Sequence, residues 1–205
     1  MNYKKIIIIV MTGVLILIGI YYLFNNENIT NYPSRGTDII AFGDSLVEGM
    51  GSSGGNDFVS LLSKKIDQPI INLGHSGDTT EDGVKRIGEL DKYNPKIVIL
   101  LLGGNDSLKK ISISDTHKNL EIIIKNIQSR GAIVLLLGVR GGIFNDVFDK
   151  EFKNLSSNYH TAFASDILGG LFGDVRYMSD IIHPNNLGYE IIANRIYPVI
   201  NKILK

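Results

Sequence analysis

Residues 39–58, IIAFGDSLVEGMGSSGGNDF, decide how the chain is read. An apolar run stops at Gly43, a lone serine follows Asp44, and a G-x-G-x-x-G pattern then runs from Gly49 to Gly54. Two chemistries compete for this stretch, a phosphate cradle and a nucleophile turn. In a dinucleotide fingerprint the glycines open the turn directly behind the strand, so that the pyrophosphate meets a helix N-terminus. Here residues 43–48 intervene, and Asn72 and Leu73 stand where an acidic residue would end the second apolar run. The nucleophile turn is the better reading, with the glycines expected as a flexible lip beside it.

Outward from this stretch, short continuous apolar runs alternate with longer amphipathic ones, the pattern of strands buried on both faces and covered by helices. Strands are predicted at 37–42, 69–73, 96–102 and 132–138, with a weaker fifth within 160–164. Helices are predicted around 57–66, 80–90, 114–130, 145–158 and 185–204. In the third of these, Leu120, Ile123, Ile124 and Ile127 recur at three and four residues and Gly131 closes the pattern. Right-handed crossovers between parallel strands give an α/β fold, a three-layer α/β/α sandwich on a mostly parallel sheet of about five strands. Sites in such sheets lie at the carboxyl ends of the strands.

Four segments fall at those ends or just before the last helix: Gly43-Asp44-Ser45-Leu46, Gly74-His75-Ser76-Gly77-Asp78, Gly103-Gly104-Asn105-Asp106, and Asp180-Ile181-Ile182-His183-Pro184. A serine hydroxyl attacks well only when a base takes its proton, and a neutral histidine held by a carboxylate is such a base. Asp180 and His183 are three residues apart, so one tight turn can set carboxylate beside imidazole, and Ser45 completes the set. Acyl transfer also needs preorganised donors for the tetrahedral oxyanion. The Ser45 and Gly74 N–H groups and the Asn105 side chain are the candidates.

These motifs resemble those of the GDSL, or SGNH, hydrolases, in the order Ser45, Gly74, Asn105 and His183, and most closely the bacterial thioesterase, lysophospholipase and arylesterase branch. The resemblance runs from about residue 37 into the last helix. It implies a flavodoxin-like sheet, a metal-free serine mechanism, Asp180 as third member of the triad, and oxyanion donors at Ser45, Gly74 and Asn105. The chain departs from the branch after the fourth strand, where Arg140-Gly141-Gly142 replaces a loop that often carries proline and shapes the acyl pocket.

Other residues have plainer readings. Asp44 is expected to hold its own turn. His117 and His160 read as solvent or packing residues, whereas His75, next to Gly74, is a candidate substrate contact. Phe144, Phe148 and Phe152 form a helical stripe that reads as core or, with Tyr177, as cover for an apolar acyl chain. No His and carboxylate cluster has metal-ligand spacing, so neither a metal nor another cofactor is expected.

Residues 6–24 form an uncharged span behind Lys4 and Lys5, about 30 Å as a helix, enough to cross a bilayer. The span is too long for a signal-peptide core and ends in YYLF, with no small-residue cleavage site. It reads as a single-pass transmembrane anchor over 1–24, N-terminus cytoplasmic, with secretion after signal cleavage as the alternative. A linker is expected at 25–36 and one hydrolase domain at 37–205. Of 205 residues, 44% are hydrophobic and none is cysteine, which removes disulfides and a thiol nucleophile. With Lys4 and Lys5 set aside, basic residues are two fewer than acidic ones and nowhere clustered in sequence, so no nucleic acid is expected as a partner. The expected activity is that of an extracytoplasmic serine esterase acting on small-molecule carboxylic esters or thioesters. A carbohydrate or peptidoglycan O-acetylesterase and a non-catalytic, membrane-tethered binding module are the alternatives.

Overall fold

The computed structural model describes residues 3, 11–14, 28–139 and 146–205, with side chains from 150 onward in the last stretch. The span read as an anchor lies mostly outside the described residues, as do Arg140-Gly141-Gly142 and Phe144. Among the described residues no helix is long and apolar enough to cross a membrane.

Five strands, β1 (Asp38–Gly43), β2 (Ile70–Gly74), β3 (Pro95–Leu101), β4 (Ile133–Leu137) and β5 (Ala162–Ala164), form one sheet in the order β2-β1-β3-β4-β5. Every neighbouring pair is parallel. This is the flavodoxin-like order, whose switch point lies between β1 and β3. Successive side chains of a strand point to opposite faces. Ile39, Ala41, Ile97, Ile99 and Leu135 accordingly enter one core, while Ile40, Phe42, Val98, Leu100 and Leu136 enter the other. Both faces being covered, the strand runs are apolar throughout rather than alternating.

The first core is closed by α2 (Phe58–Ile66) and α7 (Asn186–Leu204), and the second by α5 (Ile113–Ser129) and α6 (Asp146–Tyr159). Phe152, from the aromatic stripe, is a core residue of that second layer. Three further helices are short: α1 (Ser45–Glu48), α3 (Thr80–Arg86) and α4 (Gly104–Leu108). The helix expected over 80–90 is in fact α3 followed by a 3₁₀ turn, Ile87–Lys92. Arg86 explains the change of winding. Its guanidinium is drawn to Asp78, to the Gly43 carbonyl and over the Phe42 ring, contacts that fix the helix end from outside it.

The stretch read as a linker is described from residue 28. There it runs along the amino-terminal edge of the sheet: Thr30 bonds the carbonyls of Tyr159 and His160, Asn31 those of Gln128 and Ala132, and Ser34 that of Gly131.

Candidate active site

Each candidate residue is set by its strand end. Asp44 caps α1, its carboxylate accepting the Leu46 N–H at 3.0 Å, so Ser45 is the first helical residue and its N–H has no intrahelical acceptor. At the far end of the chain, residues 178–184 close a tight loop in which Ser179 N–H donates to the His183 carbonyl and Met178 bridges Pro184. Asn185 then caps α7 through the Leu187 and Gly188 N–H groups.

The two loops meet. His183 Nε2 is 3.0 Å from Ser45 Oγ, and His183 Nδ1 is 2.8 Å from Asp180 Oδ2. Asp180 Oδ1 also accepts the N–H groups of Ile182 and His183, each at 2.7 Å. Partial desolvation acts to raise the Asp180 carboxyl, but the His183 ring bond, these backbone bonds and the nearby imidazole charge outweigh it and hold the group at about 2. The carboxylate thus stays ionised well below neutral pH, although its side chain is 52% exposed.

The glycine-rich loop, expected as a flexible lip, is tied to the histidine loop. Gly51 has φ +89°, and a Cβ there would lie 2.5 Å from the Pro184 carbonyl oxygen and 3.0 Å from His183 Cβ. Ser53 and Asn186 exchange two hydrogen bonds, and the Tyr189 hydroxyl donates to the Met50 carbonyl at 2.7 Å. The loop therefore braces the imidazole from behind.

Of the three expected oxyanion donors, Ser45 and Asn105 line one pocket together. Asn105 spends one amide N–H on the Asp78 carbonyl at 2.8 Å, which fixes the side chain and leaves its second N–H. Gly74 sits behind α1, with its N–H donated to Asn72 Oδ1 at 2.9 Å, and it joins the other donors only by releasing Asn72. Its lack of a side chain has a separate reason, since a Cβ at Gly74 would lie 2.1 Å from the Glu48 backbone nitrogen. Gly74→Ala is therefore expected to push α1, and Ser45 with it, out of position. The expected outcome is a loss of about 1–3 kcal/mol in urea unfolding together with a more than tenfold loss of ester hydrolysis.

His75 is exposed at the rim. Tyr177 packs against the first core and beside Arg176, outside the pocket lining. The pocket wall is instead apolar, from Leu46, Leu108, Leu168, Phe172 and Ile182. Sequence reasoning missed these residues, and only Leu46 and Ile182, neighbours of Ser45 and His183, carried a signal. Among the described residues no group of His, Cys, Asp or Glu is arranged to hold a metal ion.

Asp44 is the unusual titratable group. It is 3% exposed, and burial pushes its carboxyl up to about 7, with the Leu46 N–H and His183 pulling the other way and Asp78 and Asp106 adding to the rise.

A parallel α/β sheet carrying serine, histidine and aspartate in hydrogen-bonded series at its carboxyl rim is the arrangement that serine-dependent acyl transfer requires. The GDSL-like Lipase/Acylhydrolase family model matches residues 41–191, and the chain belongs to that family. It is 27% identical over 178 residues to Esterase TesA of Pseudomonas aeruginosa, covering 81% of this chain and 89% of that one. To the Thioesterase 1/protease 1/lysophospholipase L1 of Escherichia coli K12 it is 27% identical over 176 residues, covering 80% and 85%. A crystal structure of the psychrotrophic esterase EstA from Pseudoalteromonas sp., inhibited by monoethylphosphonate, superposes with a TM-score of 0.74 at 26% identity, over 82% of this chain and 98% of that one. The protein is an ester-bond hydrolase.

Proposed function

We propose that the protein is a membrane-anchored serine esterase that cleaves carboxylic esters or thioesters through an acyl-enzyme on Ser45. The observation that carries the reading is the unbroken series Asp180 Oδ2, His183 Nδ1, His183 Nε2, Ser45 Oγ, with both links at 3.0 Å or less. Ser45 Oγ forms a bond to the substrate carbonyl carbon while its proton passes to Nε2. Asp180 accepts the Nδ1 proton's hydrogen bond, which fixes the tautomer and balances the imidazolium. The oxyanion receives the Ser45 N–H and the free amide N–H of Asn105, donors of a kind each worth about 10²–10³-fold in rate. The C–O or C–S bond then breaks, Nε2 returns the proton to the leaving alcohol or thiol, and water repeats the sequence to release the acid.

The apolar wall formed by Leu108, Leu168 and Phe172 favours an acyl chain longer than acetyl, in keeping with relatives named thioesterase and lysophospholipase, and against an O-acetylesterase. A series of activated esters from acetyl to dodecanoyl separates these: the optimum lies beyond two carbons, and a sharp acetyl optimum would reverse the assignment. The phosphonate inhibition of EstA supports the serine mechanism. A fluorophosphonate probe is expected to label the protein once, at Ser45. Labelling that persists undiminished in Ser45→Ala would reject the mechanism.

The apolar span at 6–24, flanked by Lys4 and Lys5, supports a single-pass anchor with the catalytic domain on the extracytoplasmic side.

A further inference from the structure

We infer that the amino-terminal edge of the sheet is the membrane-facing surface of the protein and that the catalytic rim points away from the bilayer, so that its substrates are acyl esters in the aqueous phase beyond the membrane rather than lipids of the membrane that anchors it. The inference rests on the esterase and anchor readings above.

Two independent observations carry it. The first is where the chain enters the domain. Thr30 is bonded beneath β5, Asn31 and Ser34 beneath β4, and Thr37 and Asp38 donate to the Asn94 carbonyl beneath β3 before the chain turns up into β1. The entering segment is thus stapled across the whole edge from β5 to β1, and a Cβ on Gly36 would lie 2.2 Å from the Pro95 carbonyl oxygen, which shows how closely it lies. Between the apolar span ending at Phe24 and Asn28, where the described domain begins, lie three residues, which reach at most about 14 Å when extended. This edge is therefore held next to the lipid headgroups. Ser45, by contrast, follows the carboxyl end of β1, whose six residues rise about 20 Å. His183, Asp180 and Asn105 share that far end. Turning the domain end over end, so that its rim met the surface, would carry this edge beyond the reach of that short span unless the bonds of residues 30–38 broke.

The second observation is charge. The near-neutral total conceals an uneven distribution. At the amino-terminal edge Arg35, Lys65, Lys92, Lys202 and Lys205 are exposed, the last two because α7 ends beside Ile29. The acids exposed there are Asp67 and Asp91, and Asp91 is taken up by Arg130 at 2.7 Å. At the opposite rim the exposed acids Glu48 and Asp180 are matched by the exposed Lys109 and Lys110, and Asp78 and Asp174 are paired with Arg86 and Arg176, so that rim carries no comparable excess of base. Exposed basic residues are attracted by headgroups wherever the facing leaflet carries anionic lipid. The charge distribution and the point of entry select the same orientation.

The chain has no cysteine, so single labels are clean. Full-length protein with Gln68→Cys, in the exposed turn before β2, or with Val175→Cys, 88% exposed near the histidine loop, is labelled with a fluorophore. Each is reconstituted into vesicles of equal phosphatidylglycerol and phosphatidylcholine carrying a headgroup quencher. Quenching is expected to be at least threefold stronger at position 68. Equal quenching, stronger quenching at 175, or failure of the protein to co-float with the vesicles overturns the proposal. Activity separates it from the reading beneath it. A water-soluble butyryl ester is expected to be hydrolysed at the same kcat/KM in vesicles and in detergent, whereas lysophosphatidylcholine in the protein's own bilayer is cleaved at least tenfold more slowly than in mixed micelles. Equal rates on the lysolipid would sink the orientation alone, and no hydrolysis of the soluble ester in either setting would sink the esterase reading.

Discussion

Replacing Ser45 with alanine is expected to lower kcat on an activated ester by about 10⁴-fold or more, with KM little changed, and His183→Ala is expected to do the same. The reason is the geometry of the series. Ser45 Oγ has one basic neighbour, His183 Nε2 at 3.0 Å, and without it the hydroxyl must lose its proton to water. The two residues form one device, so the double variant is expected to be no worse than either single one. Additive losses would mean that His183 acts elsewhere in the reaction. Asp180→Asn is expected to cost less, about 10²–10³-fold. The amide can still accept the Ile182 and His183 N–H bonds, but it no longer supplies the charge that fixes the His183 tautomer. Asp180 is also half open to solvent, so water replaces part of what the carboxylate gave. Because that carboxyl sits at about 2, it stays ionised well below neutrality, and an acid limb of the rate profile above pH 4 does not belong to it.

The sheet was legible because both of its faces are covered, which makes β1, β3 and β4 continuous apolar runs, and because the four chemical motifs each follow a strand or precede α7. The elements that escaped sequence reading are those fixed by distant partners. Helices α1 and α4 are too short to carry a 3.6-residue period. They begin where Asp44 caps the chain and where Gly103 takes φ +115°. The break in the helix expected over 80–90 is imposed by Gly43 and Asp78, which the local pattern around Arg86 cannot reveal. The glycine-rich loop read as a flexible lip is instead tied down by Asn186 and Tyr189, more than 130 residues away. Leu168 and Phe172, which wall the pocket, come from a stretch with no periodicity. A catalytic series announces itself by residue type, whereas a pocket wall is assembled from whatever apolar side chains the fold brings to the rim.

Asp44 carries the largest expected effect on stability. A buried carboxyl beside Asp78 and Asp106 holds its proton up to about pH 7 in the folded chain and loses it near pH 4 when unfolded. Between those limits the folded state binds the extra proton, so the group's contribution is full below its unfolded pKa and is lost as pH rises through about 7. Asparagine is neutral at every pH, and its side-chain oxygen can accept the Leu46 N–H as the aspartate does, so the α1 cap survives. Asp44→Asn is therefore expected to melt together with the parent protein near pH 4 and above it by about 5–10 °C at pH 8, the displacement that a few kcal/mol produces in a chain of this size. Thermal unfolding at the two pH values checks this, and a pH-independent difference would show that packing, not ionisation, governs the site. A cost in activity is expected as well. An ionised Asp44 interacts electrostatically with His183, where positive charge develops as Ser45 gives up its proton, so removing that charge lowers kcat several-fold above pH 7 while leaving the protein more stable. An acid retained at a position where it weakens the fold, directly beside the residue that attacks, is what a site selected for rate rather than for stability produces.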